Sequence, residues 1–285
     1  MAIGEPAEAQ ATSASATIGL LLHGVLSRPY AGSVLSGAQD AAASHRAAIV
    51  LMHSGLGQHR TEPRSERLLA PTLAGAIVAS DGASTTPDPQ NLGSVPHVRL
   101  NTSGPATPNC TVVADHLQGA RSVIYELMQA GHRRIGYAGA RAVHGAPDAW
   151  VRGVAQALLD ADMFDPSLIF SDLPNAEGGR RSALQALRRA DAATALVCFN
   201  GRVAMGVYQA AHEVYVKIPG ELSVVALDDA EVNAEDLRPP LTTLHIPHYE
   251  MAQQAVHSLF TLLDDLSEPA PAVKIACRIV HRESS

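Results

Sequence analysis

The sequence has little of several features that mark particular classes of protein. Its three cysteines, Cys110, Cys198 and Cys277, lie far apart and form no Cys-x-x-Cys pair. Neither a disulfide framework nor a zinc site is therefore predicted, and a reducing cytoplasm fits this pattern. The apolar run at residues 18–22 is too short for a signal-peptide core or a membrane span, so we expect neither export nor membrane insertion.

Positive charge is also scarce. The 21 lysines and arginines are outnumbered by 28 aspartates and glutamates, and the formal net charge is −7. Domains that bind nucleic acid through their surface carry an excess of basic residues, so contact with DNA through the bulk of this chain is not expected. Hydrophobic residues make up 46% of the chain, which is enough to bury a core and excludes a disordered protein.

Continuous apolar segments alternate with helical patterns in the first third of the chain. Residues 18–22, 47–52 and 75–79 are predicted strands, and residues 30–44 and 64–73 have the spacing of helices. Strands without polar alternation are typical of a parallel sheet that helices cover on both faces. The order therefore predicts a βαβαβ unit with right-handed crossovers.

A second series of the same kind follows a proline-rich segment at residues 84–111, which we interpret as a connecting loop with one short strand at 97–100. Predicted helices at 114–130, 149–161, 177–190 and 203–213 alternate with predicted strands at 135–138, 168–171, 195–199 and 222–227. Two such series predict two similar doubly wound parallel-sheet lobes with a ligand cleft between them. Residues 1–16 are small and polar, and we expect a flexible tail.

Polar residues follow several of the predicted strands. Ligands of open α/β sheets bind beyond the carboxyl ends of the strands. The residues expected at those ends are His23, Ser80, Asn101, Asn200 and Asp228. The pair formed by Asp228 and its neighbour Asp229 is equally typical of a turn or a helix N-cap, and its position leaves both interpretations open.

Trp150 is the only tryptophan, and it stands where a helix is predicted to begin. A side chain of this kind either stacks on a ligand or belongs to the core, and the sequence leaves both alternatives open.

Motifs for cofactors and catalysis are weak. Residues 55–60 only half resemble a dinucleotide-binding loop, because Arg60 stands in place of the third glycine. The sequence has no Walker A pattern, no glycine-flanked nucleophile elbow, and no histidine pair with metal-binding spacing, the closest pairs being His53 with His59 and His245 with His248. We therefore predict no cofactor, no metal and no enzyme, since no nucleophile, base and orienting group can be assigned.

Several blocks together resemble the LacI/GalR family of bacterial transcription regulators, in its periplasmic-binding-protein-like effector domain. These blocks are residues 131–136 (GHRRIG), Gly153, residues 218–225 (IPGELSVV), Asp228 with Asp229, and residues 238–244 (RPPLTTL). The resemblance extends from Thr17 to Glu283, and Asp115 and Gly119 fall in the helix that precedes the first block.

The resemblance implies two lobes, an N-terminal lobe of residues 17–111 with 246–268 and a C-terminal lobe of 112–245 with 269–285. It also implies a small-molecule effector between the lobes, a homodimer, and operator DNA as the target of a helix-turn-helix domain. Only sixteen residues precede the first predicted strand here. We therefore expect this chain to contact operator DNA only through a domain that it does not contain.

The candidate binding residues depart from the family pattern. Trp150 stands where the family carries an arginine, Asn101 replaces an aspartate, and Gly201 replaces the aspartate that follows Asn200, whereas Asp228 is retained. The family's stacking aromatic falls near Pro174. We therefore expect an effector that is less anionic and more apolar than a sugar phosphate, such as a sugar or another small polar or aromatic metabolite. The candidate ligand-binding residues are His23, Tyr30, Ser80, Asn101, His144, Trp150, Asn200 and Asp228.

The function predicted from the sequence is a cytoplasmic sensor of a small molecule within a transcription regulator. Two alternatives stay open at this point. The chain could be the solute-binding protein of a transporter, which shares the fold. It could also belong to a third class, either an enzyme that reuses the cleft or a relative without a DNA-binding head that has a degraded pocket and acts through a protein partner.

Overall fold

The structure, a computed structural model, describes residues 16–23, 29–54, 69–80, 92–101, 111–140, 149–230, 232–266 and 272–285. Within them, the chain forms two six-stranded sheets, each accompanied by helices, and it crosses between the sheets three times. The predicted α/β class with two similar, mostly parallel sheets is confirmed.

The first sheet has the strand order β11-β5-β4-β3-β1-β2, and every pair in it is parallel. Its strands are β1 (Ala16–His23), β2 (Ala47–Ser54), β3 (Gly75–Ala79), β4 (His97–Leu100), β5 (Thr111–Ala114) and β11 (Val273–Ile275). Helices α1 (Pro29–Ser44) and α6 (His248–Asp264) pack against each other and cover one face of this sheet.

The second sheet has the order β12-β10-β9-β8-β6-β7, and only β12 runs antiparallel to its neighbour β10. Its strands are β6 (Ile135–Ala140), β7 (Ile169–Asp172), β8 (Ala195–Cys198), β9 (Ser223–Ala226), β10 (Thr242–His245) and β12 (Arg278–Val280). Helices α2 (His116–Gln129) and α3 (Ala149–Asp160) form one packed pair, and α4 (Ala176–Leu187) and α5 (Gly201–Glu213) form another.

The apolar strands form the core as their composition predicts. The central strands β3, β8 and β9 are buried at every position, since parallel strands between two helical layers face apolar neighbours on both sides. Helix α2 ends just before the glycine of the GHRRIG block. Gly131 has a φ of +97°, which lets its N–H donate to Met128 O and the next N–H, from His132, donate to Leu127 O.

Three details of the predicted organisation differ from the structure. The loop predicted up to residue 111 gives way to strand β5, whose four residues were too few to show a pattern against the prolines and threonines before them. The helix predicted over 177–190 ends at Leu187. Most of the helix predicted over 64–73 lies outside the described residues, and its described end holds a single 3₁₀ turn, Ala70–Thr72.

The crossovers between the sheets lie near, but not at, the predicted lobe boundaries. Strand β5 extends the first sheet to Ala114 rather than residue 111, and β11 returns to the first sheet rather than opening the C-terminal lobe at residue 269. The chain therefore crosses after Ala114, between His245 and His248, and between Ile275 and Arg278. The division into two lobes that fold as units stays a prediction.

Candidate functional site

The carboxyl ends of the first sheet place Ser80 and Asn101 side by side. Both are almost fully buried, and the Nδ2 of Asn101 donates to Ser80 O at 3.4 Å. Asn101 has a φ of +54°, a left-handed conformation that asparagine tolerates better than most residues. Its backbone N–H donates to Val112 O, so the end of β4 is tied to β5.

Asn200 and Asp228 lie beyond the carboxyl ends of β8 and β9, as predicted, and both shape the local backbone. Asn200 is the N-cap of α5, and its side-chain oxygen accepts from Val203 N at 2.9 Å. Asp228 Oδ1 accepts from Ala230 N at 2.8 Å, which is the turn interaction that the sequence left open. The turn role therefore occupies one oxygen of the Asp228 carboxylate.

Tyr30 stands in the first turn of α1 and packs against the first residue of α6. Its ring centroid lies 5.8 Å from that of His248, with the two rings tilted by 53°. Both side chains are largely buried. Because His248 follows the second crossover directly, this ring pair belongs to the first sheet's side of the connection between the sheets.

Trp150 stands in the first turn of α3 and is 4% exposed. Its ring stacks on the imidazole of His116, with centroids 4.2 Å apart and an angle of 30°. His116 opens α2 directly after the first crossover. The indole therefore packs against protein at this face. A contact between Trp150 and a ligand stays a prediction.

His116 is neutral at physiological pH. Burial, with a smaller contribution from repulsion by His248 and against the attraction of Asp115, lowers the pKa of His116 to about 4. Nε2 of His116 is buried and makes no hydrogen bond with the described residues.

His248 is held neutral in the same way. Burial lowers its pKa to about 4, against the attraction of Asp229 and together with the repulsion of His245. His245, the last residue of β10, has its Nδ1 2.9 Å from Asp229 Oδ2, and this hydrogen bond raises its pKa. The hydrogen-bonded pair of His245 and Asp229 and the neutral His248 are thus separated by only two residues of the second crossover.

The third crossover lies at the same place. Cys277 stands between β11 and β12 and is 7% exposed. Burial raises its pKa to about 12, and the carboxylates of Asp115, Asp228 and Asp229 add to this effect. Gly119 lies close to Cys277, because a Cβ at Gly119 would be 3.2 Å from Cβ of Cys277. All three crossovers therefore meet near one group of acidic residues.

The side chains of two predicted binding residues lie outside the described part of the chain. The backbone of His23 ends β1, but its side chain, like all of His144, lies outside the described residues. The sequence missed His116 and interpreted His248 only as half of an unconvincing metal pair. The signal that could have found both is their position, since each opens a helix immediately after a crossover.

The part of the chain that the structure describes has no candidate for a metal site or a membrane span. None of its groups of three or more histidine, cysteine, aspartate or glutamate side chains could hold a metal ion. None of its helices combines the length and apolar character needed to cross a membrane.

Comparison with known proteins adds the family context. Residues 124–285 match the family described as periplasmic binding protein-like domain. The chain is 29% identical over 287 residues to the HTH-type transcriptional regulator GalR of Escherichia coli, covering 98% of this chain and 81% of that protein.

Solved structures share the fold. A complex of the transcriptional regulator CelR with cellobiose has a TM-score of 0.76 at 22% identity and covers 94% of this chain and 84% of its own. A LacI family transcriptional regulator from Enterococcus faecium with bound ribose has a TM-score of 0.74 at 21% identity and covers 94% and 98%.

Proposed function

Since the chain belongs to the LacI/GalR family of transcriptional regulators and has their periplasmic binding protein-like fold, we propose that it is the effector-sensing domain of such a regulator. A small molecule between the two sheets changes the relative population of two arrangements of the lobes, and through them the DNA affinity of a helix-turn-helix domain. The relatives are regulators, which confirms that the chain is not an enzyme.

The observation that carries this proposal is the convergence of the crossovers with the carboxyl ends of both sheets. Asn101 ends β4 in the first sheet, Asn200 and Asp228 follow β8 and β9 in the second, and His116 and His248 open helices directly after two crossovers. A ligand that touches groups from both sheets at this point favours one lobe arrangement over another, because its contacts depend on their distance.

The proposed effector is a small uncharged molecule that carries hydroxyl groups. Two structural relatives hold ribose and cellobiose. Three carboxylates, those of Asp115, Asp228 and Asp229, lie close enough to Cys277 to shift its pKa, and like charge repels a phosphate or carboxylate ligand. Trp150 stands where the family places an arginine, so a cationic anchor for such a ligand is replaced by an apolar ring.

A thermal-shift panel tests this proposal. The chain is heated with D-ribose, cellobiose, a sugar alcohol, a nucleoside, a small aromatic metabolite and ribose 5-phosphate. A ligand at a hundred times its Kd stabilises the folded state by about 2.7 kcal/mol, which corresponds to a Tm increase of roughly 5–10 °C for a domain of this size. We expect an increase with an uncharged member and none with the phosphate.

A matched pair of variants distinguishes an effect on ligand binding from an effect on folding. Asp228→Asn keeps the oxygen that accepts from Ala230 N and removes the negative charge, so the protein should fold and lose most of the ligand-induced shift. Asp165→Asn is the control, because Asp165 also caps a turn, accepting from Ser167 N, on the exposed surface. An unshifted panel would contradict the sensor proposal and favour action through a protein partner.

Several finer expectations belong to the same proposal. We propose a homodimer in the cytoplasm, where operator DNA is reached. Sedimentation at several protein concentrations measures the dimer. The solute-binding alternative has less support, since the relatives with the same fold are described as regulators of transcription.

A further inference from the structure

One buried polar group stands out at the convergence of the crossovers. Nε2 of His116 has almost no solvent-accessible surface, and none of the described residues hydrogen-bonds it. Buried polar atoms in folded proteins are nearly always paired, because an unpaired one destabilises the folded state. A buried polar atom without a hydrogen bond needs an explanation. One explanation is a bound ligand that supplies the missing hydrogen-bond partner.

The imidazole is held in place on both sides. Asp115 caps α2 by accepting from Gln118 N at 3.1 Å, which fixes the backbone of the residue that follows it. Trp150 covers one face of the His116 ring at 4.2 Å between centroids. The nitrogen therefore has a defined position before any ligand binds, as is typical of preorganised sites.

The surroundings favour an uncharged partner for this nitrogen. The imidazole is neutral at pH 7, so it offers one donor and one acceptor and no charge to attract an anion. Asp115 directly precedes it, and Asp228 and Asp229 act on the same neighbouring thiol of Cys277. A hydroxyl group can donate or accept, and it therefore pairs with Nε2 in either tautomer.

We propose that His116 is a ligand-contacting residue, whose Nε2 hydrogen-bonds a hydroxyl group of the effector, and that Trp150 positions the imidazole rather than stacking on the ligand. This inference rests on the proposed sensor function. In this proposal the neutral imidazole of His116 makes this part of the site selective for uncharged molecules. The resemblance to the family suggested no ligand contact at this position.

The test is the substitution His116→Phe. Phenylalanine keeps a ring on Trp150 and removes both nitrogens, so the unpaired polar atom disappears from the ligand-free protein. We expect the Tm without ligand to rise by about 2 °C, and the Kd for whichever of D-ribose or cellobiose shifts the wild type to weaken about 5- to 10-fold, which is the loss of one hydrogen bond.

His132→Phe is the matched control. Its imidazole lies 2.9 Å from Thr194 Oγ1 through Nδ1 and 3.0 Å from Ser223 Oγ through Nε2, so both nitrogens have partners at the opposite ends of the strands. Its replacement should lower the Tm and leave the Kd for the same sugar unchanged.

The outcomes distinguish a failure of the His116 contact from a failure of the sensor proposal. A His116→Phe protein that melts below the wild type, as the control does, shows that Nε2 has a structural partner and overturns the inference. A wild-type Kd that His116→Phe leaves unchanged also overturns it, while the sensor proposal stands. If neither sugar shifts the wild type, the proposed effector class fails together with its assigned contact, whatever the melting temperature of the variant.

Discussion

The two ends of the second sheet use their polar side chains in opposite ways. The amino edge, where β6, β8 and β9 begin, contains His132, Arg134, Thr194 and Ser223. The carboxyl edge, where the same strands end, contains Asn200 and Asp228, and Trp150, in the first turn of the helix that follows β6, stacks on His116. The backbone at both edges comes from the same three strands, so the difference lies in what the side chains bind.

At the amino edge the polar groups bind one another. His132 lies within hydrogen-bond distance of Thr194 and Ser223, and Arg134 donates to the backbone oxygen and the carboxylate of Asp191, the latter at 2.8 Å. Each of these contacts joins a residue before or at the start of one strand to a residue near another. The GHRRIG block therefore serves stability at this edge.

At the carboxyl edge one polar nitrogen is left without a partner among the described residues. Asn200 and Asp228 each contribute an oxygen to a cap or a turn, whereas His116 Nε2 makes no hydrogen bond with the described residues. When the polar groups of one edge are hydrogen-bonded to each other, a ligand can bind at the other edge without weakening the fold. Four predictions test this contrast.

The largest effect is expected within the scaffold, at Gly206→Ala. Gly206 faces the backbone of α4, and an added Cβ would meet Ala176 O and Arg180 N, which cannot move without separating α4 from α5. We expect a loss of more than about 3 kcal/mol in the free energy of unfolding, measured in urea. Gly32→Ala is the control, because a Cβ there meets nothing within 4 Å. Equal stability of the two variants would show that the helix pair is loosely packed.

The next effect is a pH dependence that belongs to the carboxyl edge. The pKa of His116 and of His248 is about 4 in the folded protein and ordinarily 6.5. The unfolded chain therefore binds more protons between these values, so stability is lost as the pH falls from 6.5 towards 4, by about 3 kcal/mol for each histidine. His245 acts in the opposite sense, because Asp229 raises its pKa and that contribution is lost as the pH rises.

Urea unfolding at pH 7, 6, 5 and 4.5 measures this effect, and subtraction of the same series for His116→Phe isolates one histidine. The wild type should lose more stability than the variant over that range. Parallel curves would mean that the imidazole is protonated as readily in the folded protein as in the unfolded chain, against the burial seen here.

A smaller effect is expected at the amino edge. His132→Phe removes two hydrogen bonds and leaves Thr194 and Ser223 without the imidazole, which should cost about 2 kcal/mol. A double-mutant cycle with Ser223→Ala measures how much of this belongs to the pair. A coupling energy near zero would show that the amino edge is held by its strands alone.

The smallest effect is expected for Arg134→Met. The pair with Asp191 is partly exposed, with 34% and 54% of the side-chain surfaces accessible, so solvent screens it. We expect a loss below about 1 kcal/mol that shrinks further in 0.5 M salt. A loss of stability larger than that of His132→Phe would mean that charge, rather than hydrogen bonding, stabilises the amino edge.

Much of the fold could be predicted because its signals are local. Strands such as β3 and β8 are short, continuous apolar segments between helical patterns, and the carboxyl-end positions of Ser80, Asn101, Asn200 and Asp228 follow from the strand bounds. Strand β5 was missed because its identity as a strand depends on pairing with β4 across a proline-rich segment and with β11, which is distant in sequence.

The candidate site was predicted less completely, because its contacts cross between distant segments. Trp150 was recognised as a candidate, but the ring on which it stacks belongs to His116, which lies 34 positions earlier. Tyr30 and His248 meet across more than two hundred residues. A single sequence carries no signal for either pair.

The sequence by itself determined the class of the fold, the strand ends that bear polar residues and the family, since each depends on short patterns or blocks. The tertiary structure alone decided which histidines are neutral, that Trp150 packs on protein, and that three crossovers bring Asp115, Asp228 and Asp229 close to one cysteine. The physical reason is that burial and proximity set pKa values and hydrogen-bond partners, and both are properties of the packed chain rather than of any segment.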